Sequence, residues 1–338
     1  MPLNALKPMT DFILHQPNIS SAQNLSRQES SYPHEWICRF VLGLAIATLF
    51  LMALGSATRV MNAGLSCPDW PLCYGELVPR QQMNLRVFLE WFHRLVASCM
   101  GLAVIGLTGF AWWYRRVLPN WTPWAATLAL GLVVFQGILG GLTVTELLRF
   151  DIVTAHLGTG LLFFTTLLVT GVALLPYRGT GNVGNLPWFG LIAAVMVYLQ
   201  SILGGLVASQ WALHQCFSTS KLCAVMYSHM GGVVPASVAT LVMVFFVWRT
   251  PALNPLLRGL SRLATALLVL QASLGVAAFR LHLQVEPLTV AHQAIGAALL
   301  GSLVAFTVLA FRDISTVAQV IPTTALQSSD TNQPANTD

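Results

Sequence analysis

The sequence predicts an all-α polytopic membrane protein, with eight transmembrane helices forming two pseudo-symmetric four-helix bundles. Three observations lead there. Only 9% of the 338 residues are Asp, Glu, Lys or Arg and 55% are hydrophobic, against roughly 25% charged in a soluble domain. Apolar runs lie near 38–58, 87–112, 122–143, 152–175, 187–208, 223–248, 260–279 and 288–311, each close to the roughly 20 residues that cross a hydrocarbon core. A short motif also recurs in alternate runs, which divides the chain in two.

In chain order, residues 1–36 form a polar leader with no small-residue cleavage pattern, so the first run reads as an uncleaved helix. Residues 37–178 form an N-terminal bundle, 179–312 a C-terminal bundle, and 313–338 a Ser-, Thr-, Asn- and Gln-rich tail expected to be disordered. Arg115, Arg116, Arg178, Arg249, Arg258, Arg262 and Arg312 fall on the side shared by both termini, which the positive-inside bias makes cytoplasmic. Asp69, Glu76, Glu90, Glu146, Asp151 and Glu286 fall on the other side, although basic residues such as Arg59, Arg80 and Arg149 also occur there. The formal charge of +5 is dispersed over loops without a basic, aromatic-laced stripe, which excludes a nucleic-acid partner. The predicted location is the bacterial inner membrane.

The motif comprises Gln136-Gly137-Ile138-Leu139-Gly140, Gln200-Ser201-Ile202-Leu203-Gly204 and Gln271-Ala272-Ser273-Leu274-Gly275, with a degenerate copy at Leu51-Met52-Ala53-Leu54-Gly55. Each copy precedes an outer loop and a helix with one histidine near its outer end: His93, His156, His229 and His292. His93 and His156 are 63 residues apart, as are His229 and His292, and the two pairs are offset by 136 residues. A lone intramembrane histidine can be a helix-packing hydrogen-bonder. Four at matched depth and spacing predict axial ligands of haem iron, one pair per bundle. Zinc fits less well, because no bundle offers a third ligand at suitable spacing. His15, His34, His214 and His282 read as surface residues.

Four of the six cysteines lie in outer loops, Cys67 with Cys73 and Cys216 with Cys223, and each pair reads as a structural disulfide in an oxidising compartment. A metal site is the weaker alternative, since neither haem-attachment nor zinc spacing is present, and a redox role for Cys67 and Cys73 stays open. Cys38 and Cys99 lie within spans.

The halves differ at Glu90. It stands one helical turn before His93, and its counterpart 136 residues on is Met226. A carboxylate is therefore no general need of haem binding. It reads as a proton acceptor or charge stabiliser beside a reacting haem, the alternative being a helix amino-terminal acid favoured by the dipole. Arg59 and Arg94 are candidates to pair with propionates or with outer-loop acids.

The run from Gly64 to Gly75, containing Cys67-Pro68-Asp69-Trp70-Pro71-Leu72-Cys73, together with the Glu90-x-x-His93-Arg94 block and His156, His229 and His292, resembles bacterial haem A synthases with cysteine pairs. The resemblance covers about residues 37–312. It implies oxidation of the C8 methyl of haem O to a formyl group, through hydroxymethyl and hydrated aldehyde stages. Carried over, His93 and His156 hold substrate haem O, His229 and His292 hold a haem b cofactor, and Glu90 is catalytic. It further implies haem O synthase as haem donor and permits a homo-oligomer; no motif specifies the electron acceptor. The rival readings are a two-haem cytochrome b-like electron carrier and a haem transporter.

Overall fold

The computed structural model describes the backbone of residues 19–208, 221–281 and 285–329, and side chains over 34–208, 224–281 and 285–314. Its helices are α1 (Ile19–Val60), α2 (Leu85–Trp113), α3 (Thr122–Thr145), α4 (Phe150–Leu174), α5 (Leu186–Ala208), α6 (Lys221–Arg249), α7 (Pro255–Arg280) and α8 (Glu286–Ser329). Among the described residues, eight helices are long and apolar enough to cross a membrane. They match the eight apolar runs to within a few residues, because hydrocarbon leaves backbone groups no partner but their own helix.

Local chemistry sets the ends. Asn62, at φ 54°, closes α1: Ala63 N–H donates to Thr58 O (2.8 Å) and Asn62 N–H to Arg59 O (3.2 Å), the paired bonds of a left-handed C-terminal cap. Asn84 caps α2, its side chain accepting from the N–H groups of Arg86 and Val87. Pro123 and Pro255 occupy the first turns of α3 and α7, where a missing N–H costs nothing.

Helices α1 to α4 contact one another in sequence, and α4 closes the ring on α1; α5 to α8 repeat the arrangement, with α8 closing on α5. The two rings meet through α4 against α5, α8 against α1, and α4 against α8. The central helices are therefore α4 and α8, whose most apolar windows are 50% and 67% buried, against 11–33% for the other six. At their crossing the Phe164 ring fills the gap left by Gly301, where an added Cβ would lie 2.9 Å from Cζ. Leu299, Leu300, Leu303 and Phe306 of α8 fill the core of the second ring.

The end of the bundle away from the histidines closes around Asp313. It is fully buried, and α8 runs through it to Ser329. Half of the expected leader is likewise helical, since α1 begins at Ile19. Asp313 accepts from Tyr177 Oη (2.7 Å) and from the N–H groups of Thr180 (2.9 Å) and Gly181 (2.5 Å), pinning the linker between the rings. Desolvation and the neighbouring carboxylate push the Tyr177 hydroxyl well above its ordinary pKa, keeping it a donor. Asp313→Ala is expected to destabilise the protein by about 3 kcal/mol, and Tyr177→Phe by about 1 kcal/mol, in thermal unfolding of detergent-solubilised protein. Melting of Asp313→Ala together with the unaltered chain would remove the linker clasp from the account.

Candidate functional site

The histidines are placed by glycine. A Cβ built on Gly55, Gly204 or Gly275 would lie 2.9 Å from Cε1 of His93, His229 or His292, and one on Gly140 would lie 3.5 Å from Cε1 of His156. In each case the glycine closing the sequence motif sits under the imidazole of the next helix. A larger residue at Gly55, Gly204 or Gly275 would push the ring away, whereas at Gly140 the contact would be an ordinary one.

The motif glutamines lie one turn below these glycines. Gln136 Nε2 donates to His156 O and Gln200 Nε2 to His229 O, each at 2.7 Å. Gln200 Nε2 is also 3.0 Å from His229 Nδ1, and Gln271 Nε2 is 3.3 Å from His292 Nε2. A side-chain donor can reach a helical carbonyl only where the next turn is small. Gly160, Gly232 and Gly296 supply that space, and a Cβ on any of them would overlap the amide. Sequence reasoning saw the glutamines as a repeat but not as clasps; their spacing from the glycine was the available signal.

His93 stands on α2 and His156 on α4 of the first ring, His229 on α6 and His292 on α8 of the second. Three of these rings, in His93, His156 and His292, carry a buried Nδ1 with no hydrogen-bond partner. Buried polar atoms in native proteins are normally satisfied. Imidazole nitrogens left without a partner inside an apolar bundle are suited to holding an iron-bearing group. His34 lies away from them on α1, whereas His15, His214 and His282 lie outside the described residues, as does the side-chain chemistry of the Cys216 and Cys223 pair.

Glu90 lies on the second turn of α2, past the cap, so the dipole alone does not explain it. It is 3% exposed, accepting from Arg94 Nη2 at 2.6 Å and from Cys67 N–H at 2.8 Å. Arg94 also donates to the carbonyls of Asp69 and Leu72 (2.7 Å each) and Cys67 (3.3 Å). The two side chains form a buried ion pair whose members also bind the loop backbone. The sulfurs of Cys67 and Cys73 are at disulfide-bonding distance, with Cα atoms 4.7 Å apart. From the loop they close, the Trp70 ring rests on Gly141 of α3, 3.2 Å from where a Cβ would stand. The loop thus covers the histidine end of the first ring. Arg94 acts as its anchor, a role its position in the sequence did not reveal.

A family model described as cytochrome oxidase assembly protein, COX15-CtaA, matches residues 38–304. The chain belongs to this family. Among similar proteins, the haem A synthase of Shewanella oneidensis is 27% identical over 84% of this chain and 99% of its own length. That of Caulobacter vibrioides is 28% identical over 78% of this chain and 93% of its own. A protoheme IX farnesyltransferase of Halobacterium salinarum is 32% identical over 45% of this chain, a match spanning 33% of that protein.

In this COX15-CtaA chain the cysteine loop carries its own pH sensitivity. The N–H groups of Gly75 and Tyr74 donate to Asp69 and hold its carboxyl below the usual carboxylate range. A carboxyl whose folded pKa is depressed stabilises the fold above its unfolded value, and this contribution is lost as pH falls through the folded value. Amide protection factors in residues 67–76, corrected for the intrinsic exchange rate at each pH, are therefore expected to fall at pH values below the ordinary carboxylate range. Asp69→Asn should lose that pH dependence. An unaltered profile in the variant would place the sensitivity elsewhere.

Proposed function

We propose that this chain is a haem A synthase, an oxidoreductase that converts the C8 methyl of haem O to the formyl group of haem A. The observation that carries the reading is an inequality between two matched sites: both rings present a glycine-backed histidine pair, and only the first has a buried carboxylate one turn away. Similarity to haem A synthases over nearly the whole chain supports it. In this reading haem O lies between His93 and His156 as substrate. His229 and His292 hold haem b, which supplies one-electron redox chemistry when bound.

The conversion of methyl to formyl consumes water and releases protons and electrons, so positive charge develops next to the porphyrin. Glu90 answers that charge. Both its oxygens already accept hydrogen bonds, from Arg94 and Cys67, which holds the carboxylate in place at no further reorganisation cost. We assign it electrostatic stabilisation ahead of proton abstraction for that reason. The cysteine loop, closed over the ring by Trp70, excludes bulk water from the substrate. The histidine end faces the outer side of the inner membrane and both termini the cytoplasm, with haem O synthase as donor. The farnesyltransferase relative, named for acting on protohaem, supports that last link.

Co-expression with a haem O synthase in a host lacking haem A, followed by chromatography of extracted haems, is expected to yield haem A. Its persistent absence would leave an electron carrier or transporter as the better reading. Glu90→Gln is expected to retain both haems by absorption spectroscopy while haem A formation falls about a hundredfold; normal conversion by this variant would reduce Glu90 to a loop anchor.

A further inference from the structure

The four histidine-bearing turns are not held alike. His156, His229 and His292 each have a glutamine on the facing helix, at 2.7 Å from the histidine carbonyl or 3.3 Å from the ring. At His93 the glutamine position holds Leu51, and the residue one turn beyond is Ala97 instead of glycine. Leu51 offers no hydrogen bond, and the space a clasp would need is partly filled. Both halves of the device are absent together.

The turn of His93 is secured by a different route. Glu90 before it and Arg94 after it bind the backbone of the loop at Cys67, Asp69 and Leu72. A loop at the end of a bundle opens locally at far lower free energy than a helix core. His93 is thus tied to the most easily displaced element near it, while His156 is tied across a helix pair. The second ring has both its histidines clasped.

We infer that His93 is the exchangeable axial ligand, released when haem enters or leaves the first ring, and that Gln136, Gln200 and Gln271 are positioning residues that fix the other three. This rests on the proposed haem sites. A resident cofactor calls for two fixed ligands, whereas a substrate that must depart as product calls for one that yields. The distribution of glutamines follows that division without reference to Glu90.

The test uses the full-length protein, loaded with both haems in detergent and mixed with excess apomyoglobin as haem acceptor. The unaltered protein is expected to lose the haem of the first ring while keeping that of the second. Leu51→Gln combined with Ala97→Gly should slow the first loss about tenfold, and Gln200→Leu should speed the second about tenfold and shift the low-spin resonance of its haem. Should the double variant fail to accumulate, Gln200→Leu, which adds no polar group, decides alone. Unchanged exchange in either variant with haem still bound overturns the inference and leaves the haem sites standing. A bis-histidine spectrum missing from the unaltered protein overturns the sites themselves, and the inference with them.

Discussion

The contact of an imidazole with a backbone stripped of its side chain governs the dimensions of both rings. It occurs at Gly55, Gly140, Gly204 and Gly275, and it draws each odd-numbered helix against the following even-numbered one near one end. In hydrocarbon there is no water to satisfy a histidine nitrogen or a helical carbonyl. At three of the four, close approach lets a glutamine of the facing helix serve instead, and the glycines at positions 160, 232 and 296 extend that approach by a turn. Packing and polar satisfaction are here one requirement. Enlarging Gly204 together with Gly232 would disturb both.

Much of this was legible beforehand. Helix existence and span were written in the apolar runs, because a membrane imposes length directly. The histidine pairs stood out because two equal spacings fall on residues that seldom enter a membrane. What the sequence did not disclose depends on distances between segments far apart in the chain. Arg94 gathers three loop carbonyls because the chain doubles back through Asn62 and the cap at Asn84. Asp313 sits in a polar, tail-like composition, and only the linker folded beneath it explains its burial. Composition averages over such partners.

The same four-helix plan carries unequal attachments. On the first ring, one histidine is coupled to a loop bearing a cysteine pair and a buried ion pair, and the other to the facing helix. On the second, both are coupled to helices. A repeated scaffold thus keeps the spacing of its histidines while the way each is restrained varies.

The seam between the rings shows why the chain is not simply two copies of one unit. Arg59 at the end of α1 donates to Gln293 of α8 at 3.2 Å. At the matching junction of α4 with α5, Leu157 packs on Gly205, and the position answering to Arg59 is Ala208. Pairing the first half with a copy of itself would set a guanidinium against leucine; pairing the second with itself would set the glutamine amide against alanine. Either mismatch strands a polar group in the membrane at a cost of roughly 1–3 kcal/mol or more. The seam therefore discriminates partners: each half fits the other better than it fits itself, and fusion in one polypeptide makes permanent a preference that the interface already holds.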